Sequence, residues 1–313
     1  MKKISQRTEF QVYPPRRATR PWGVIALSCM ALFTVILYLY WPALNGHFIF
    51  DDTAFPFCTP VRHSPLAKWI STVGVRPVLV VSYWLNYHFW GESPFSFHFA
   101  NVVIHFVNSA LVFLVLRRLL QKAGWAGRKP QLASAVGALI FAIHPLQTES
   151  VSYVAGRSES LASFFLLLAY AIFLYRRQEA ISWGESLLVL ALFAMGVKTK
   201  ENAVSLAPVL LLTDLFWPVA FSLRGVKRNW RLYGLMIPGV AVAGVLVFRM
   251  LAAAHSAGFS AASFKWYQYA FTEARAIFAY IRMAIWPAGL SLDHDFATSH
   301  TIWENGALWW ILL

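Results

Sequence analysis

Asp51 and Asp52 stand side by side in the string Asn45-Gly46-His47-Phe48-Ile49-Phe50-Asp51-Asp52-Thr53, just beyond the first long apolar run. Neighbouring carboxylates repel, so one pKa rises while the other group stays ionised, and such a pair can serve as a general base or hold a cation. A solvated turn with an Asx-type cap uses the same residues. A second group, His144-Pro145-Leu146-Gln147-Thr148-Glu149-Ser150, leads into Tyr153, Gly156, Arg157, Ser158 and Glu159. Pro145 disfavours helix at His144, so a helix is expected to end there. The guanidinium fork of Arg157 matches phosphate oxygens; alternatively Arg157 pairs with Glu149 while Ser158 and Glu159 cap the next helix. A third group, Lys198-Thr199-Lys200-Glu201-Asn202, either complements a helix C-terminus or holds an anionic headgroup. His98, Asn101, His105 and Asn108 are spaced three, four and three residues apart, on one helical face, where interhelical hydrogen bonding is the commoner use and substrate contact the rarer.

The elements that position these groups are helices in a bilayer. Of 313 residues, 58% are hydrophobic and only 13% charged, at a mean hydropathy of +0.53. A soluble domain carries about 25% charge, so a water-soluble globule is excluded, as are disorder and a disulfide scaffold with two Cys. The net charge of +13 does not form a nucleic-acid face, because most of the 27 Lys and Arg fall between apolar runs. Spans are expected at 22–44, 97–116, 132–143, 161–175, 187–197, 203–217 and 232–251, seven or more in all. The positive charges of the tail (Lys2, Lys3, Arg7, Arg16, Arg17, Arg20), of Arg117 to Lys129, of Arg176 and Arg177, and of Arg224 to Arg231 place alternate loops, and the N-terminus, in the cytoplasm. The acids, His144 and Arg157 then face outward. Residues 1–21 read as a cytoplasmic basic tail and 22–313 as one membrane domain. The stretch 271–287 suits an interfacial helix as well as a span. The final Trp309-Trp310-Ile311-Leu312-Leu313 reads as the opening of a further span, as in a fragment of a longer chain. Cys29 and Cys58 are expected unpaired.

Seven strings keep a familiar order: Phe48-Ile49-Phe50-Asp51-Asp52, Arg76-Pro77, His98-x-x-Asn101-x-x-x-His105, His144-Pro145-x-x-Thr148-Glu149, Gly156-Arg157-x-x-x-Leu161-Ala162, Lys200-Glu201-Asn202 and Leu290-Ser291-Leu292-Asp293. In this the chain resembles the membrane half of the transmembrane-and-TPR-repeat (TMTC-type) proteins, in particular their bacterial relatives within the GT-C superfamily of glycosyltransferases. Gln147 and Ser150 depart from the His and Ala common there, and these 313 residues contain no TPR repeats. The resemblance implies a GT-C-like all-α bundle that moves a sugar from a polyprenyl-phosphate carrier to a hydroxyl of a protein or glycan acceptor, on the outer face of a bacterial cytoplasmic membrane, with inversion. It implies an acid of the first outward loop as base, which falls on Asp51 or Asp52. The chemistry of such a transfer then assigns the departing phosphate to Arg157 with Lys198 or Lys200, and Glu149 joins the catalytic set or orients the acceptor. His144, Glu201, His98, Asn101 and Arg76 are expected to orient the acceptor or support the others. Asp51 and Asp52 could host a divalent cation such as Mg or Mn. The rivals are a transporter or flippase for a lipid-linked solute and a non-catalytic membrane scaffold. Transporters place ionisable groups at the bilayer midplane on broken helices of duplicated halves.

Overall fold

A computed structural model describes residues 22–176, 178–217, 221–253, 265–291 and 296–306. The basic tail, Arg177, Asp293, Asp295 and the closing Trp309–Leu313 run lie outside the described residues. The chain is all-α: every described element is a helix or a short 3-10 turn. In order, α1 (Trp22–Tyr40) leads into a helical cap of 3-10 turns with α2 (Leu66–Val73) and α3 (Pro77–Trp90); α4 (Pro94–Lys122), α5 (Lys129–Ile143), α6 (Thr148–Ser152) and α7 (Arg157–Tyr175) follow. The remainder is α8 (Trp183–Thr199), α9 (Leu206–Phe216), α10 (Arg224–Arg228), α11 (Trp230–Ala253) and α12 (Trp266–Ile285).

Each of the seven expected apolar runs is helical. Three helices, at Gly23–Ala43, Pro94–Lys122 and Arg157–Tyr175, are long and apolar enough to cross a membrane, and Lys129–Ile143 is a shorter apolar helix. The helices α5, α8 and α9 have 15, 17 and 11 residues, at or below the roughly 17 needed for a full crossing. The bundle is a row of neighbours, α5 on α4, α4 on α7, α7 on α8 and α8 on α11, with α1 against α4 and α5. Apolar on every side, α1 leaves Val24, Leu27 and Met30 more than 60% exposed, a surface whose natural solvent is hydrocarbon.

The first loop is not a loop in the ordinary sense. Phe57, Trp69, Leu79, Val80, Tyr83 and Phe97 form an aromatic core that caps one end of the bundle and reaches Val154 ahead of α7. Pro77 at the first turn of α3 and Pro94 at that of α4 start these helices where a missing N–H costs nothing. A second apolar core lies among α4, α7, α8, α9 and α11, and a third, with Ile36, Tyr40, Val102, Ala142 and Val151, joins α1 to α4, α5 and α6. Cys29 and Cys58 are free thiols.

Candidate active site

The site is built around the short connection from α5 to α7. His144 takes an extended backbone (φ −67°, ψ 127°) ahead of Pro145, and α5 ends there. Its Nδ1 accepts from the Leu146 amide at 3.2 Å, so this ring begins the turn into α6. Helix α6 then folds back tightly onto the start of α7. The closeness requires Gly156, where a Cβ would lie 2.3 Å from the Glu149 carbonyl oxygen.

The loop after α1 is clamped to this corner by two hydrogen bonds about a hundred residues apart in sequence. The Asp51 amide donates to the Tyr153 hydroxyl at 2.9 Å, and Asp52 Oδ1 accepts from the Ala155 amide at 2.7 Å. Asp52 Oδ2 accepts from the Ile49 amide at 3.2 Å, closing the loop on itself. Asp52 is wholly buried whereas Asp51 is exposed. Between strand-like Ile49 and the acids, Phe50 adopts φ 46°, a left-handed conformation rare for a bulky residue and worth about 1–3 kcal/mol of strain. Burial pushes the Asp52 carboxyl above its ordinary value; the amides of Ile49 and Ala155 and the charge of His98 oppose that rise. Burial also raises the Tyr153 phenol, with Asp51, Asp52 and Glu149 as its acidic neighbours. Glu149 is exposed in the first turn of α6.

Arg157, expected on the donor phosphate, lies inside the protein. It is 1% exposed. Its Nε donates to Asn101 Oδ1 at 2.7 Å, Nη2 to Asn86 Oδ1 at 2.9 Å and to the Phe97 carbonyl at 2.8 Å, and Nη1 to the Ser82 carbonyl at 3.3 Å. Its guanidinium lies 4.6 Å from the Tyr83 ring centroid. Four of its five N–H groups thus meet protein acceptors from α3 and α4. The expected contact with a donor phosphate, and the alternative pairing with Glu149, both give way to a buried hub joining α3, α4 and α7.

The polar stripe of α4 is interhelical. Asn101 Nδ2 donates to the carbonyls of Val151 and Tyr153, His105 Nε2 to that of Ala142 at 2.9 Å, and Asn108 Nδ2 to that of Ser160 at 2.8 Å. His98 Nε2 reaches the Gly46 carbonyl at 3.2 Å, and its Nδ1 is buried without a partner.

The Lys-Glu-Asn step between α8 and α9 belongs to the same end. Lys200 and the Asn202 amide both bond the Glu159 carboxylate, in the first turn of α7. Arg76 Nη2 donates to both carboxylate oxygens of Glu201, at 2.9 and 3.1 Å. Lys198 is exposed in the last turn of α8. Glu159, a candidate cap of α7, is the partner of Lys200 because α7 and α8 are packed neighbours. Nothing in the sequence marks Ser82 as an acceptor for Arg157, whereas Asn86, an amide inside an aromatic run, is the available signal.

One end of the bundle therefore gathers Asp51, Asp52, Glu149, His144, Arg76, Lys200 and Glu201 around Tyr83, Tyr153 and the start of α7. A cation held by both aspartates does not fit. Asp52 is enclosed with both oxygens on backbone amides, so only Asp51 is open, and no group of three or more His, Cys, Asp or Glu converges among the described residues.

Fold and rim define a class first: a helical bundle suited to a bilayer, with a polar corner at one end assembled from the first loop and the α5–α7 connection. Sequence relatives then narrow it. The chain is 35% identical over 208 residues to Drosophila melanogaster Protein O-mannosyl-transferase Tmtc1, covering 61% of the chain and 23% of that protein. It is 28% identical over 209 residues to Mus musculus Protein O-mannosyl-transferase TMTC3, covering 61% and 22%, and 30% identical over 237 residues to mouse TMTC1, covering 65% and 23%. The chain is thus related to the TMTC-type proteins, as its motifs indicate, and spans under a quarter of the length of these curated relatives. No family model and no solved structure matches it.

Proposed function

We propose that this chain forms the transferase region of a membrane glycosyltransferase that moves a mannosyl group from a polyprenyl-phosphate carrier to a hydroxyl of a protein acceptor. The names of its relatives supply the sugar and the class of acceptor; the chemistry of the rim supplies the roles. The observation that carries the reading is the asymmetry of the aspartate pair: Asp51 exposed and held by its own amide on Tyr153, Asp52 buried as the anchor of the loop.

In this mechanism Asp51 is the base. It accepts the proton of the acceptor hydroxyl as that oxygen bonds to the anomeric carbon. The bond from that carbon to the carrier oxygen breaks, its electron pair leaves with the phosphate, and the configuration inverts. Of the cations expected on the donor phosphate, Lys200 is paired with Glu159 and Arg157 is buried, so Lys198, exposed at the end of α8, meets the departing phosphate. Glu149, exposed near Tyr153, orients the acceptor with His144. Asp52, Tyr153, Asn101, His98 and Arg157 position the loop and corner. The carrier's chain stays in hydrocarbon beside the bundle while its sugar reaches the aqueous rim, which for an outward rim is the outer face of a bacterial cytoplasmic membrane.

The test is a reconstituted assay with polyprenyl-phosphate mannose and a Ser/Thr-containing acceptor, following release of polyprenyl phosphate. Release that depends on acceptor is expected. Asp51→Asn should lower kcat about 10²-fold or more while the protein remains folded. An unchanged rate in Asp51→Asn would remove that residue from the mechanism, and movement of intact carrier without release would favour the transporter reading.

A further inference from the structure

At the other end of the bundle, α4 and α7 finish together. The 19 residues of α7 separate this end from Arg157 by roughly 27 Å at 1.5 Å per residue. A cleft of about 400 Å³ lies there, lined by Arg118, Lys122, Arg176, Glu179, Trp217 and Arg228 among others, within the size range of small-molecule sites. Four cations face one lining acid.

The cations are not equally committed. Arg176 is a fixed wall: its Nη1 donates to the Phe173 carbonyl at 2.7 Å and its Nε to the Glu179 carbonyl at 3.0 Å, with Asp214 4.0 Å away. Asp214 itself is buried and accepts from Asn229 Nδ2 at 2.6 Å and the Tyr233 hydroxyl at 2.8 Å. Gly225 lets α10 approach this corner, since a Cβ there would lie 2.3 Å from the Asp214 carbonyl oxygen. Arg118 commits one N–H, Nε to the Leu174 carbonyl at 3.1 Å, and its guanidinium lies 5.3 Å from the Tyr175 ring centroid. Arg228 reaches Glu179 at 3.4 Å through Nη1, and its Nε is buried without a partner. Lys122 is half-buried, and Trp217 Nε1 donates to its carbonyl at 3.2 Å, closing one side of the cleft.

Topogenic cations alone would be scattered through solvated loops. Here they come from three separate segments, α4, the end of α7 and α10, and enclose a space with surplus donors, two guanidinium forks and an ammonium, which is the donor set that tetrahedral phosphate oxygens match. We propose that this cleft is a binding site for a phosphate-bearing anion, either a phospholipid headgroup or a free phosphate, distinct from the rim that carries Asp51. Trp217 gives the cleft an apolar side against which the glycerol end of a headgroup rests.

The full chain, in phosphatidylcholine nanodiscs, tests this in two arms read by thermal unfolding and direct binding: phosphatidic acid doped into the nanodisc, and inorganic pyrophosphate added to the solution. Saturable stabilisation in the first arm identifies a headgroup site; in the second, a site for soluble phosphate. Lys122→Gln and Arg228→Gln should each weaken the effective probe by about tenfold, the size of one charge-assisted hydrogen bond. Glu179→Gln, which removes the acid from the lining, should strengthen it several-fold. This opposite sign keeps the test decisive if a cation variant misfolds. The proposal fails if neither probe stabilises the protein, if chloride at equal ionic strength does as well, or if Glu179→Gln leaves affinity unchanged.

Discussion

The two ends of the bundle handle buried charge in opposite ways. At the first, Arg157 is buried without a carboxylate; amide and carbonyl oxygens and the face of Tyr83 surround it. At the second, Arg176 has Asp214 close by, and Asp214 in turn has Asn229 and Tyr233. The first end leaves an anion open, Asp51, and the second leaves cations open. Neutral acceptors solvate the Arg157 guanidinium without cancelling its charge, so the first end keeps a net buried cation held by amide and carbonyl dipoles. An ion pair at the second end instead cancels one charge locally and leaves the others for a ligand.

The largest effect expected from breaking this contrast is at Arg157. Arg157→Ala orphans Asn101 Oδ1, Asn86 Oδ1 and the Phe97 carbonyl, at about 1–3 kcal/mol for each buried group left unpaired, so a loss of about 3 kcal/mol or more is expected in detergent unfolding. Arg157→Lys should restore little, because an ammonium cannot span the same acceptors. Gly156→Ala comes next. Its Cβ cannot occupy the space beside the Glu149 carbonyl without backbone movement, and a loss of about 1–3 kcal/mol is expected, with a lower kcat because Tyr153 and Ala155 shift with it.

Asp52 sharpens the comparison through pH. Its folded-state pKa lies above the unfolded value of about 3.9, so the folded protein holds the proton more tightly. Stability from this group is full below the unfolded value and falls as pH rises through the raised one. Asp52→Asn should flatten that segment of the stability curve and keep an acceptor for one amide; Asp52→Ala should cost about 2 kcal/mol at all pH values by orphaning the Ala155 and Ile49 amides. A curve identical to wild type in Asp52→Asn would show that this carboxyl is not the titrating group. The smallest effect belongs to Glu201→Gln. Both Arg76 and Glu201 are about one-third exposed, and such pairs contribute roughly 0.2–1 kcal/mol, so unfolding should barely move.

Much of the frame is legible in sequence because it follows from periodicity and from proline. The seven apolar runs are helices, α5 ends at His144 as Pro145 dictates, and the three-four-three spacing on α4 does place His98, Asn101, His105 and Asn108 on a packed face. Burial at the edge of a run is another matter. Arg157, one residue into α7, looks like a surface cation until the aromatic cap of 44–93 is seen to close over it, and nothing local in the sequence announces that cap. The division of labour between Asp51 and Asp52 depends on amides a hundred residues away. Asp214 carries a legible signal: it is the single acid in the apolar run 203–217, and an ionisable group at such a place ordinarily has a partner.

Helix α4 carries both ends. Its 29 residues measure roughly 43 Å at 1.5 Å each, against a hydrocarbon thickness of about 30 Å, whereas the 19 residues of α1 measure about 28 Å. A single unbroken rod longer than its solvent is thick must lean or protrude, while its neighbour need do neither. Arg117, Arg118 and Lys122 occupy the last two turns of α4, so its surplus length is polar and suits protrusion past the hydrocarbon edge, carrying the cationic cleft into the headgroup layer.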